Sequence, residues 1–308
     1  DTPFVSMIGT TKASQTKHEW QTDTLADPVA GSVTGTHGST PEGTVTSTIE
    51  QGAAAPTAVA AATSRIYNEC QINARTVSVS GTHAVVNTAG RKSEMAYQLA
   101  KRGKELKMDM EYCCVAVPNV RVTGASGTPA QISNVYAYIG DNGSTAGGAA
   151  GTGDGTDVYG TGSSNRAFTE ALLTDAITDQ WVDGGHSDVI MLSATNKATL
   201  TGFVGSSAAA SINTDAHTKK VMNSVDIYVS DYGDMAVVPN RQIPTGQVEG
   251  GDNVLVLDPS TWAIAFLRPF KTFDIARTGD SEEKELLVEW TLEGRAKDGN
   301  ALIGDLNA

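Results

Sequence analysis

The residues able to do chemistry are few, and their spacing works against them. The five histidines, His18, His37, His83, His186 and His217, are scattered through separate stretches. They read as surface or loop residues rather than as a general base set beside a nucleophile. The run His18-Glu19-Trp20-Gln21-Thr22 begins like the H-E-x-x-H zinc signature, but Thr22 stands where the second imidazole must be. One ligand does not hold the metal. Gly103-Lys104 ends like a phosphate loop, yet Glu105 replaces the required hydroxyl and the pair falls inside a helical pattern. No G-x-S-x-G elbow is present. Gly153-x-Gly155-x-Asp157 resembles one copy of a calcium-binding nonapeptide, a motif that works only in series. The loop opening at Asp141 has Thr152 at the twelfth position, where an EF-hand needs a bidentate carboxylate. Cys70, Cys113 and Cys114 are odd in number, form no C-x-x-C pair and include two neighbours. A disulfide framework or zinc site is therefore not expected, and synthesis in a reducing compartment fits. The expectation is a chain with no catalytic residues, no metal and no cofactor.

What remains is a basic set, Arg91, Lys92, Lys101, Arg102, Lys104 and Lys107, in a chain with formal net charge −13. Such an acidic balance repels phosphate at long range and argues against a protein whose main task is gripping nucleic acid. The set is either a solvated helix face or a contact surface for a protein partner. No stretch approaches the roughly 18 apolar residues that span a bilayer, so no membrane role is expected.

The element that must carry this set is a helix. Between Gly90 and Val117, Met95, Leu99, Leu106, Met110, Cys113 and Val117 recur on one face of a 3.6-residue period. Such a helix would run roughly 40 Å, with Pro118 ending it. Adjacent Cys113 and Cys114 allow one of them to face the core as a small apolar residue. Upstream, residues 1–27 are polar with isolated anchors Phe4, Met7, Ile8 and Trp20, and read as an extended arm that needs a partner surface. From Pro28 to Ser64 the composition narrows to Gly, Ala, Thr, Ser and Val. Strand-like stretches at 45–49 and 66–79 would flank a Gly-rich tip, so a long projecting β-hairpin is expected, marginal by itself. Downstream lie strands and turns with a Gly-rich loop at 140–165, then an amphipathic helix at 168–181 closed by Gly184-Gly185. Next come a buried strand at 188–192 and a short helix at 194–203. VDIYVSD, DMAVVPN, NVLVLD, WAIAFL and KELLVEWTLEG read as strands. The fold class is α+β.

In this order DTPFVSMIG, KHEWQTDTLADP, RTVSVSGT, AGRKSEMAYQLAKRGKELKMDME, DVIMLSATNKATLTGF, IYVSDYG, VVPNR, VLVLDPSTWAIAFLRPFKT and ARTGDSEEKELLVEWTLEGR cover most of the chain. They resemble the tailed-bacteriophage major capsid proteins with the HK97-like fold. The Gly/Thr-rich 28–64 stretch, CCVAVPNV and the 140–165 loop depart from that pattern. The resemblance implies an N-terminal arm (1–27), an E-loop hairpin (28–85) and a P-domain spine helix (86–117). It further implies a mixed α/β A domain (118–257) and C-terminal strands returning to the P domain (258–308). By the same resemblance the chain would be made in the bacterial host cytoplasm and self-assemble into pentamers and hexamers, the capsid shell of a virion. Double-stranded DNA would be packaged inside without sequence-specific binding, and a portal and a decoration or cement protein would be further partners. Family members usually carry residues upstream of the DTPF block, so the arm is expected to be incomplete. In that fold the hairpin lies over a neighbour's P domain. Residues 20–80 carry a balance of −3 and residues 91–107 one of +4. Glu42 or Glu50 is thus expected to approach Arg91, Lys92, Lys101, Arg102 or Lys104 of another copy. A tail-associated or secreted β-rich binding protein is the alternative; closed shells of uniform diameter in negative stain would separate the two.

Overall fold

Alternation within Gln71–Ser80 (β4) decides the first sheet. Val77 and Val79 are buried, while Ile72, Ala74, Thr76 and Ser78 are exposed, the period-2 pattern of a strand covered on one face. The computed structural model describes residues 2–23, 51, 63–86, 90, 93–160, 165–206, 226–244, 252–277 and 279–306, with no side chains at 204–206. It divides into two compact units, 1–19 with 67–308, and Trp20–Ile66. Of the second unit only residues 20–23, 51 and 63–66 are described. They include the ends of β2 (Lys17–Thr22) and β3 (Ser64–Glu69), which pair as a two-stranded sheet. The expected strand at 45–49 and the hairpin tip lie outside the described residues. The 66–79 stretch is two strands broken at Cys70, not one.

In the first unit, β4 pairs antiparallel with β11 (Ser281–Gly294), β11 antiparallel with β10 (Trp262–Ile275), and β10 parallel with β1 (Gly9–Lys12). The covered face of β4 lies against α3 (Glu94–Val115), where Ser93 accepts the Ala96 N–H as N-cap and Glu94 occupies the first turn. The expected helix is present but begins at Glu94 rather than Gly90. Leu106, Met110 and Cys114 are fully buried, whereas Cys113 is only half-buried. Adjacent helical residues are about 100° apart, so the core side chosen at Leu106 and Met110 takes the second cysteine.

The short helix α1 (Pro3–Met7) precedes β1. Phe4 is 1% exposed and meets Trp262 edge-on at 6.0 Å between ring centroids. Ile8 and Ala13 are also buried. Within one copy, these first residues therefore find a surface on their own chain.

A second sheet runs in the order β5 (Gly143–Ser144), β12 (Ala301–Ile303), β9 (Val254–Leu257), β6 (Val189–Leu192), β8 (Gly233–Pro239) and β7 (Ile227–Ser230). All four residues of β6 and of β9 are buried, as continuous apolar runs demand. Ile190, Leu192, Met235, Val237, Val254 and Val256 pack with Leu173, Ala176 and Ile177 of α4 (Glu170–Val182) and Leu200 of α5 (Ala194–Ser206). Helix α4 starts on the Thr169 cap and stops at Gly184, whose φ of +83° suits glycine.

Candidate subunit-contact surfaces

Glu111 of α3 is 0% exposed. Its Oε1 accepts the Phe4 N–H at 2.9 Å and Asn240 Nδ2 at 2.6 Å, and its Oε2 accepts the Val5 N–H at 2.8 Å. One carboxylate thus fixes the N-terminal helix, the spine helix and the segment after β8 to each other. Burial pushes its carboxyl above the usual range, although these three donors pull the other way.

The outward side of α3 holds Lys101, Lys104 and Lys107 of the basic set expected from sequence. Lys101 and Lys104 are exposed, with Lys107 beside them. Arg102 is engaged within its own helix, its Nη1 2.6 Å from Glu105 Oε2, which holds the Glu105 carboxyl below its usual range. Arg75 of β4 grips Asp109 of α3 through Nε and Nη2 at 2.7–3.0 Å. That bidentate clip fixes the strand–helix register and had no signal in the sequence, because 34 residues separate its partners. Tyr97, Met108 and Tyr112 interrupt the lysines on the exposed side, at 47%, 37% and 52% exposure. Glu42, Glu50, Arg91 and Lys92 lie outside the described residues, so the structure does not bring the proposed acidic and basic partners together.

The groups that could react are arranged as structure. Burial pushes the Cys70 thiol up to about 12, helped by the charges of Glu289 and Glu69. Burial likewise raises Cys113 and drives Cys114 well above the thiol range. His18, the first residue of the zinc-like run, sits with Nε2 3.0 Å from Glu293 Oε2, and Arg295 Nε donates to Glu293 Oε1 at 2.8 Å. Burial acts against the Glu293 charge, but His18 and Arg295 together bring its carboxyl below the usual range. Among the described residues, no group of three or more His, Cys, Asp or Glu is placed to hold a metal ion, and no helix is long and apolar enough to cross a membrane.

Comparison with known proteins gives this architecture a context. The major capsid protein of Escherichia phage Phieco32 is 27% identical over 327 residues, covering 96% of this chain and 87% of that protein. The cyanophage A-1(L) capsid asymmetric unit superposes with a TM-score of 0.63 at 15% identity, over 100% of this chain and 93% of that one. A chain of Mycobacterium phage Ogopogo gives 0.57 at 10% identity, over 98% of this chain and 91% of that one. These likenesses place the fold as α+β and HK97-like. The family model of the SU10 major capsid protein matches residues 1–307. A chain whose buried thiols and carboxylates serve packing, and which matches a shell subunit from end to end, belongs to the SU10 major capsid protein family, a structural protein of the phage virion rather than an enzyme.

Proposed function

We propose that this subunit builds an icosahedral head from pentameric and hexameric capsomers around double-stranded DNA. The family match over residues 1–307 carries the reading, because it spans nearly all of this chain rather than one module. Residues 1–27 are assigned as the N-terminal arm, 28–85 as the E-loop hairpin and 86–117 as the spine-helix segment of the P domain. Residues 118–257 form the A domain, and 258–308 return to the P domain. A portal and a decoration or cement protein complete the head, and the DNA is held without sequence reading.

Within the shell, Glu42 or Glu50 of one copy meets Arg91, Lys92, Lys101 or Lys104 of the next. Arg102 takes a lesser part because Glu105 already pairs with it. Exposed pairs of this kind contribute about 0–1 kcal/mol each, so their effect lies in setting register over many copies. Negative-stain microscopy of the purified, concentrated chain tests the assembly. Closed shells of one diameter are expected; discrete monomers or trimers would overturn it. In a multi-subunit structure, both glutamates lying beyond roughly 8 Å from every neighbouring basic residue would overturn the charge contact.

A further inference from the structure

Away from the spine helix, the first sheet ends in a groove of about 500 Å³. One wall is Ile72 of β4, 54% exposed. The opposite wall is a tight turn, where Ala125 and Thr128 exchange both backbone hydrogen bonds at 3.0 Å and Gly127 takes a φ of +82°. That turn presents Ala125, Pro129 and Ala130 to the groove. Two carboxylates line its base, Glu69 at 7% exposure and Glu289 at 6%. Glu289 is answered by Arg268 Nε. Glu69 receives only the Thr123 hydroxyl, at 3.1 Å, and has no cation among the described residues.

A carboxylate taken more than nine-tenths out of water without a cation is costly. The cost is recovered when a cation arrives with its own apolar stem to cover the walls. The groove opens onto the helix-free face of the sheet. On that face the row Ile72–Glu289–Arg268 is followed by Ala74–Leu287–Lys271, Thr76–Glu285–Phe273 and Ser78–Glu283–Ile275 across the three strands. Phe273 and Ile275 are each 38% exposed. An acidic socket continuous with a face where exposed apolar side chains alternate with charged ones has the make-up of a protein interface. A shell subunit meets chiefly copies of itself, and its copies carry lysines that are exposed and without an ion pair among the described residues, such as Lys101, Lys104 and Lys107. We propose that the groove is a socket on each subunit for a lysine or arginine side chain of a second copy, its charged head on Glu69 and its stem against Ile72 and Pro129. The proposal rests on the reading of the chain as a self-assembling shell subunit.

Three variants of the full chain test it. Ile72→Cys places an accessible thiol on the wall, since the native cysteines are buried or half-buried. It should react with a maleimide in dissociated subunits and be protected in shells. Ala125→Trp fills the groove from an exposed turn; shell formation should be lost while thermal unfolding of the dissociated subunit is unchanged. Glu69→Gln keeps the shape and removes the charge, and should raise the concentration needed for assembly and flatten its dependence on salt. Wild-type shells in the same preparation establish the parent reading; their absence would overturn that reading and the socket together. Given wild-type shells, equal labelling in shells and subunits, or normal shells from Ala125→Trp, would overturn the socket alone. Unaltered assembly and salt dependence in Glu69→Gln would overturn the cation.

Discussion

Glu111 shows how much one side chain can organise. It offers two oxygens to two successive backbone N–H groups and a side-chain amide, in a site that excludes water. Replacing Glu111 by Gln keeps the size but turns one acceptor into a donor facing a backbone N–H. A buried unsatisfied donor costs about 1–3 kcal/mol. The dissociated Glu111→Gln subunit should unfold at a lower temperature, and limited proteolysis should cut within residues 2–12 sooner than in the wild type. Glu293 allows a pH experiment. Its folded-state pKa lies below the ordinary carboxylate value, so its contribution is fully present above that value and is lost as pH falls through the folded one. Urea unfolding across an acid series should show stability falling below the usual carboxylate range. Glu293→Gln should be less stable at neutral pH and show a shallower acid slope. Neither residue could be singled out from the sequence. Glu111 looked like one more polar position on a charged helix, and its partners Phe4 and Asn240 lie more than a hundred positions away. His18 drew notice for a zinc signature and proved to be a partner of Glu293.

At the scale of elements, what the sequence made legible followed from local period. Helices α3 and α4, the alternation of β4, and the all-buried β6 and β9 each carry their pattern within a dozen residues or so. What escaped notice depends on distant partners. Gly9–Lys12 is polar and patternless, and becomes a strand only because the inner half of β10 offers it an edge. The groove likewise joins a β4 residue to a turn some fifty positions later. Composition still decides one matter for the proposed E-loop. No lysine occurs between Lys17 and Lys92, so residues 28–85 hold no amine for an isopeptide bond to a neighbour. Boiled particles on a denaturing gel should run as a single band near the 32.0 kDa chain mass; a ladder of multiples would contradict a shell held by non-covalent contacts.

For the whole molecule, the body and the projecting stretch should separate in function. The strands, helices and buried clusters described in 67–306 belong to one compact unit with residues 1–19. A chain lacking 28–64 should therefore fold and remain dispersed, with a cooperative melt and no shells under the microscope; normal particles would contradict the assembly role given to that stretch. The parallel pairing of Gly9 with Ala263 has a consequence for how such a subunit is made. A ribosome adding roughly 5–20 residues per second exposes the first strand long before its partner exists, because about 250 residues intervene. The first sheet thus joins β1 to a strand made about 250 residues later, a closure of high contact order that waits until β10 has been synthesised. A prematurely terminated chain lacking β10 cannot seat β1 in the sheet. Such a chain leaves the Phe4 ring without Trp262 and β1 without an edge to pair with, and so offers the growing shell no subunit with a finished sheet. Quality control of the particle is in this sense written into strand order, before any two copies meet.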